Sequence, residues 1–204
     1  ENNFFLNNTT HIKFTDDGCN TSISGNYMLG GNIGIALYKT AQQAEGTRII
    51  NNTILVTGGN GAGIDMNAGL EILISGNIID QTGSNSIGVY MHPAGADAVS
   101  SIKCIGNWIA AGLGSYGAFA NGNNTILYFT NNTFVSNNNL VTLNAISLNA
   151  TNTYNVLSNR FLMTYASGST DISAVSCTNS TVLGNDSSLP ASNALFNQFN
   201  SQVA

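Results

Sequence analysis

The sequence predicts an all-β solenoid: a parallel sheet coiled into about seven to eight turns, with three short strands in each. Three observations carry this. One layout recurs along the 204 residues, an apolar stretch, a corner ending in Asn, then a second apolar stretch, plainest in LEILISGNII at 70–79. The corner residues align as Asn26, Asn52, Asn77, Asn107, Asn132, Asn159 and Asn185, with a truncated copy at Asn3, at intervals of 23, 26, 25, 30, 25, 27 and 26 residues. A period near 25 is that of a repeat array. Finally, the position three before the Asn is apolar in every full copy: Ile23, Ile49, Ile74, Cys104, Phe129, Val156 and Val182. Residues two apart on a strand share a face, so these columns point inward together.

In chain order, NNFFL (2–6) is the truncated copy, and TSISGNYML (21–29) is the first full one. TRIINNTIL (47–55), LEILISGNII, SIKCIGNWI (101–109), TILYFTNNTF (125–134), TYNVLSNRFL (153–162) and STVLGNDSS (180–188) follow. At the corner the Asn is expected to take left-handed backbone angles, which it tolerates better than other non-glycine residues. Stacked on successive turns, its side chain is expected to bond up and down as an Asn ladder. Two residues later stand Met28, Ile54, Ile79, Ile109, Phe134 and Phe161, and Ser187 alone departs from that column.

A third strand lies about twelve residues beyond each corner: HIKF (11–14), GIAL (34–37), GIDM (63–66), GVYM (88–91), GAFA (117–120), VTLN (141–144) and DISAV (171–175). Its apolar pairs, such as Ile35 with Leu37 and Ile64 with Met66, flank one variable outward residue. The outward column is expected to run Lys13, Ala36, Asp65, Tyr90, then Ala118 or Phe119, and Thr142. The strand leaving the corner differs, because adjacent residues such as Ile54 and Leu55, or Phe161 and Leu162, are both apolar. One of each pair must face outward, and an apolar stripe on a solenoid is usually covered. A loop or, with connections this short, a neighbouring subunit would cover it.

The solenoid is expected over 1–188. Residues 189–204 leave the repeat after Pro190 and form a cap or the start of a further segment, with Leu195, Phe196 and Phe199 as its apolar contacts. No leader peptide is visible, and Glu1 begins almost inside a rung. Since solenoid ends need caps, the first rung is expected to be covered by a preceding segment or by other subunits.

Charged residues are 7% and hydrophobic residues 43% of the chain, with a net charge of −5. Abundant, periodic apolar residues argue against disorder, which goes with low hydrophobicity and high charge. Five Lys plus Arg leave no nucleic-acid footprint, and the apolar runs are too short and interrupted to insert in a membrane. Cys19, Cys104 and Cys177 fall three turns apart, roughly 14 Å at the spacing of stacked strands, beyond disulfide reach. Cys104 sits in an inward column as a small buried hydrophobe. With two His and no Cys or His cluster, neither a metal nor a cofactor is expected.

The pattern of apolar, polar, apolar, Asn, apolar on a 22-to-30-residue period resembles the right-handed parallel β-helix of the pectin-lyase-like superfamily, over residues 2 to 188. Within it, the Asn-, Ser-, Thr- and Gly-rich composition and scarce charge look most like a phage tailspike or tail-fibre domain. That resemblance implies a homotrimer on a virion or otherwise extracellular, with bacterial surface polysaccharide as partner. It implies either glycan binding or structure without catalysis, or a polysaccharide depolymerase of the glycoside hydrolase kind. A secreted bacterial adhesin repeat shares the binding expectation without the trimer.

Glycoside hydrolysis needs two carboxyl groups, about 5–5.5 Å apart for retention or 6.5–9.5 Å for inversion. Asp65 is the best candidate, as the one carboxylate in the outward column of the third strands. Asp97, in the insertion HPAGADAVS (92–100), and Glu71, at a strand start, are its candidate partners. For glycan binding, Tyr90 lies one turn beyond Asp65, with Asn67 and His92 two residues further on in the same register. Trp108, the only Trp, follows a ladder Asn and serves as a sugar platform or as part of an interface.

Overall fold

The computed structural model describes residues 1–15, 19–38, 45–93, 99–137, 142–164, 169–177 and 179–187. They wind into a parallel β-solenoid with three faces. The first sheet holds the strands that leave the Asn corner: Phe4–Leu6, Tyr27–Leu29, Thr53–Val56, Ile78–Gln81, Trp108–Ala111, Thr133–Ser136, Arg160–Leu162 and Asp186–Ser187. Six of these eight are paired on both sides, and the coil makes about six turns, fewer than the seven to eight expected, because the strands at either end are paired on one side only.

The second sheet leads into the corner through Ser22–Ser24, Arg48–Ile50, Leu73–Ser75, Ile102–Ile105 and Asn179–Leu183. The third comprises Thr10–Phe14, Ile33–Leu37, Ala62–Met66, Ile87–Met91 and Ile172–Val175. Two long strands, Tyr116–Thr130 and Asn144–Leu157, run through both and join them edge to edge. A register shift between Asn121 and Asn124 marks where the first of these turns the corner.

The inward columns are those expected. Ile49 pairs with Ile74, Ile74 with Cys104, and Cys104 with Phe129, all at most 1% exposed. Burial of the Cys104 thiol pushes it up to about 12, and none of the three cysteines forms a disulfide. Packing is close where the third sheet meets the first. Four successive third strands carry a glycine as their second residue, Gly34, Gly63, Gly88 and Gly117, and a Cβ on Gly88 would lie 2.3 Å from the Gly117 carbonyl oxygen and 2.5 Å from Ile109 Cγ2. The small column exists so that the branched first-sheet column can enter it.

Two expectations about local structure are corrected. The left-handed residue is the one before the ladder Asn: Gly25, Asn51, Gly76, Gly106, Asn131, Ser158 and Gly184 all have φ between 53° and 65°. That residue turns the chain, and the Asn side chain is thereby aimed inward. Asn77 Oδ1 accepts from the backbone N–H of Asn52 at 2.9 Å and its amide at 3.0 Å. The Asn77 amide donates onward to Asn107 Oδ1 at 3.0 Å and to the Ile49 carbonyl at 2.9 Å. The pattern runs unbroken from Asn3 to Asn185.

The second correction concerns VTLN. Thr142 is fully buried, and the third strand of that turn is set by Ile146 and Leu148, which pair with Ala118 and Ala120. The outward residue is therefore Ser147, beside Phe119. An apolar pair flanking one polar residue occurs in both VTL and ISL, and only stacking on the previous coil selects between them. Val141 and the segment 189–204 lie outside the described residues.

Candidate functional site

The outward column of the third sheet runs in register through Lys13, Ala36, Asp65, Tyr90, Phe119 and Ser147. A second column stands two residues further along each strand, at Tyr38, Asn67 and His92. It stays stacked because the backbone N–H groups of these residues donate to Phe14, Leu37 and Met66 carbonyls at 2.9, 3.2 and 2.8 Å. The neighbouring coils thus place Tyr38 on one side of Asp65 and His92 on the other.

Both side chains reach Asp65. Tyr38 Oη donates to Asp65 Oδ2, and His92 Nε2 lies 2.6 Å from Asp65 Oδ1. Since the carboxylate offers only lone pairs, Nε2 carries a proton and donates to it. Asp65 is 7% exposed, so its two short bonds replace much of the water it gives up. Burial, the bond to Asp65 and the Asp65 charge together push the Tyr38 hydroxyl well above its ordinary value. Tyr90 is raised by burial and by the same carboxylate. Lys13 Nζ sits 5.6 Å from the Tyr38 ring centre, completing the polar end of the face.

Rings continue from there across the coils. His92 stacks on Tyr90 at 4.3 Å, Tyr90 on Phe119 at 5.7 Å and Phe119 on Tyr116 at 4.8 Å. The result is a row of partly exposed rings beside one carboxylate-centred cluster, suited to an extended ligand with alternating apolar faces and hydroxyl groups.

The candidate residues divide accordingly. Asp65, Tyr90 and His92 come together, and Asn67 stands in register between Tyr38 and His92. Glu71 is elsewhere: it sits at a left-handed corner with φ 57° and lines a separate groove with Ser101, Lys103 and Tyr128. Trp108 belongs to the first sheet, 40% exposed between Ile78 and Thr133. Asp97 lies outside the described residues. Among the described residues no three His, Cys, Asp or Glu side chains gather to hold a metal ion. The residue missing from the sequence reading is Tyr38. Its signal was present, because it follows Ala36 by the same two residues that separate Asn67 from Asp65 and His92 from Tyr90.

Tyr38 yields an alkaline signature. Its folded-state value lies above that of the unfolded chain, so its contribution to stability is complete below pH ~10 and is lost as the pH rises past that point. Replacing Tyr38 by Phe is expected to flatten this limb of a stability-against-pH curve followed by urea unfolding. An unchanged limb would assign the alkaline loss to other groups.

The chain matches no family model, no curated protein and no solved structure.

Proposed function

We propose that this solenoid binds a bacterial surface polysaccharide along the third sheet, as a virion-associated module of the tailspike and tail-fibre kind among pectin-lyase-like β-helices. The row Tyr116, Phe119, Tyr90 and His92, ending at Asp65 and Tyr38, is the observation that carries the reading. Sugar rings present C–H faces that lie on aromatic rings, and hydroxyl groups that pair with fixed polar atoms. Coils spaced at about 4.8 Å repeat such contacts along an extended chain. Binding is favoured over hydrolysis because Asp65 already accepts on both oxygens, and Glu71 faces a different groove.

The first sheet supports the assembly part of the reading. Its outer columns expose Phe4, Tyr27, Ile78 and Trp108, and beside them Leu6 and Leu162; Phe4 and Tyr27 stack at 5.4 Å. Side-by-side packing of three copies about a symmetry axis would bury this face identically on each. Sedimentation equilibrium gives three chain masses on this reading and one if the face serves otherwise.

The binding test is titration of capsular and lipopolysaccharide-derived chains of candidate hosts into the protein. A Tyr90→Ala variant should bind about 10-fold more weakly, in line with the loss of one aromatic platform. Equal binding by both proteins would remove the third sheet from the reading. Chains shortened by the native protein but left intact by Asp65→Asn would favour the depolymerase instead.

A further inference from the structure

We propose that the groove on the second sheet is a separate saccharide subsite, selective for a sugar residue that carries an anionic group. The proposal rests on the glycan-binding reading for the class of ligand only; the residues are different and face a different side of the coil.

The outward column of the second sheet runs in register through Ser22, Arg48, Leu73, Lys103 and Tyr128. Over it lies a groove of about 480 Å³ lined by Glu71, Ile72, Leu73, Ser101, Lys103 and Tyr128. Arg48 stands one coil from Leu73 on the side away from Lys103, so the two cations bracket Leu73, with Cα atoms roughly 10 Å apart at the spacing of stacked strands.

Both cations are exposed. Neither takes part in an ion pair among the described residues, whereas Arg160 is 3.4 Å from Asp186 and Lys13 lies over Tyr38. Glu71 shares the groove with Lys103, yet no ion pair within 4.0 Å joins them. In a chain of net charge −5, two cations in one column with no ion pair among the described residues form a local attraction for an anion.

The rest of the groove suits a sugar. Leu73 supplies an apolar contact, Tyr128 a ring face, and Ser101 with Glu71 hydroxyl partners. Glu71 is held there by its left-handed corner, with its N–H bonded to the Ser100 carbonyl at 3.0 Å. Its negative charge repels a second anionic group, so the groove selects one charge per sugar, held by Lys103 in the groove and by Arg48 one coil beyond Leu73.

The experiment uses a matched pair of probes: a hexasaccharide of alternating glucuronate and N-acetylglucosamine, and the same molecule with its carboxyl groups reduced to alcohols. Each is titrated calorimetrically into the full chain at low ionic strength. The acidic form should bind about 10-fold more tightly than the reduced one, as expected for two exposed charge contacts, and the preference should shrink with added salt.

Arg48→Gln combined with Lys103→Gln should abolish the preference, and Lys103→Arg should keep it. Glu71→Gln should strengthen binding of the acidic form by about threefold. Tyr90→Ala should leave the preference intact. Equal binding of the two probes, no binding of either, or a preference that survives the double substitution would overturn the subsite. A preference lost in Tyr90→Ala would also overturn it, and would place the charge recognition on the third sheet. Thermal melting of the Arg48, Lys103 and Glu71 variants, unchanged for these exposed positions, separates loss of binding from loss of fold.

Discussion

Asn77→Ala is expected to destabilise the solenoid by about 3–5 kcal/mol. The side chain is 1% exposed and joins three coils. Its Oδ1 receives the backbone N–H of Asn52, and its amide satisfies the Ile49 carbonyl. Alanine deletes both partners and leaves the two backbone groups inside a corner too tight to admit replacements. Each orphaned buried group costs about 1–3 kcal/mol, and the vacated volume adds a cavity term.

Asn77→Asp separates hydrogen bonding from volume. An aspartate is nearly isosteric, but it sets a carboxylate against Asn107 Oδ1 and the Ile49 carbonyl, both acceptors. Burial among acceptors raises the folded-state value of such a carboxyl group. The variant should therefore be least stable at neutral pH and recover as the pH falls through that raised value. Urea unfolding at several pH values measures both variants. A loss below about 1 kcal/mol for Asn77→Ala would mean that the ladder organises the corners without holding them.

Asp65→Leu is expected to cost about 2–3 kcal/mol and to remove the polysaccharide binding proposed for the third sheet, whereas Asp65→Asn should cost under about 1 kcal/mol. Leucine leaves the Tyr38 hydroxyl and His92 Nε2 without their shared acceptor. Asparagine keeps the geometry: its oxygen accepts from Tyr38, and its amide donates to Nε2 once the imidazole proton has moved to Nδ1. Nitrogen chemical shifts of His92 should report that tautomer change in the Asn variant. Equal losses in Leu and Asn would show that charge, rather than the two hydrogen bonds, holds the cluster together.

Much of the fold was legible because a solenoid repeats its local physics. The inward columns through Ile74 and Ile79, and the ladder through Asn77, each recur often enough that sequence spacing alone aligns them. The corner was read one residue late. Asn tolerates left-handed angles, but so does the Gly, Asn or Ser before it; only the inward aim of the ladder side chain decides which of the two turns. VTLN was misplaced for a related reason, since two apolar-polar-apolar triplets compete in that turn and pairing with Ala118 and Ala120 chooses the second.

For the site, the sequence determined which residues share a column: Asp65 and Tyr90 in one, Asn67 and His92 in the next. A strand's alternation fixes the face of each side chain, and the repeat fixes its neighbour one coil away. What crosses between columns was decided by the tertiary structure. Tyr38 and His92 lie 27 residues before and after Asp65, and they meet it only because flexible side chains lean diagonally over a backbone that coiling has brought together. The same holds for the groove over the second sheet, where Lys103 and Tyr128 share a groove with Glu71, which a left-handed corner carries from one face towards the next. Periodicity encodes direction along and around the coil; which side chains touch depends on rotamers and corner angles, which have no period.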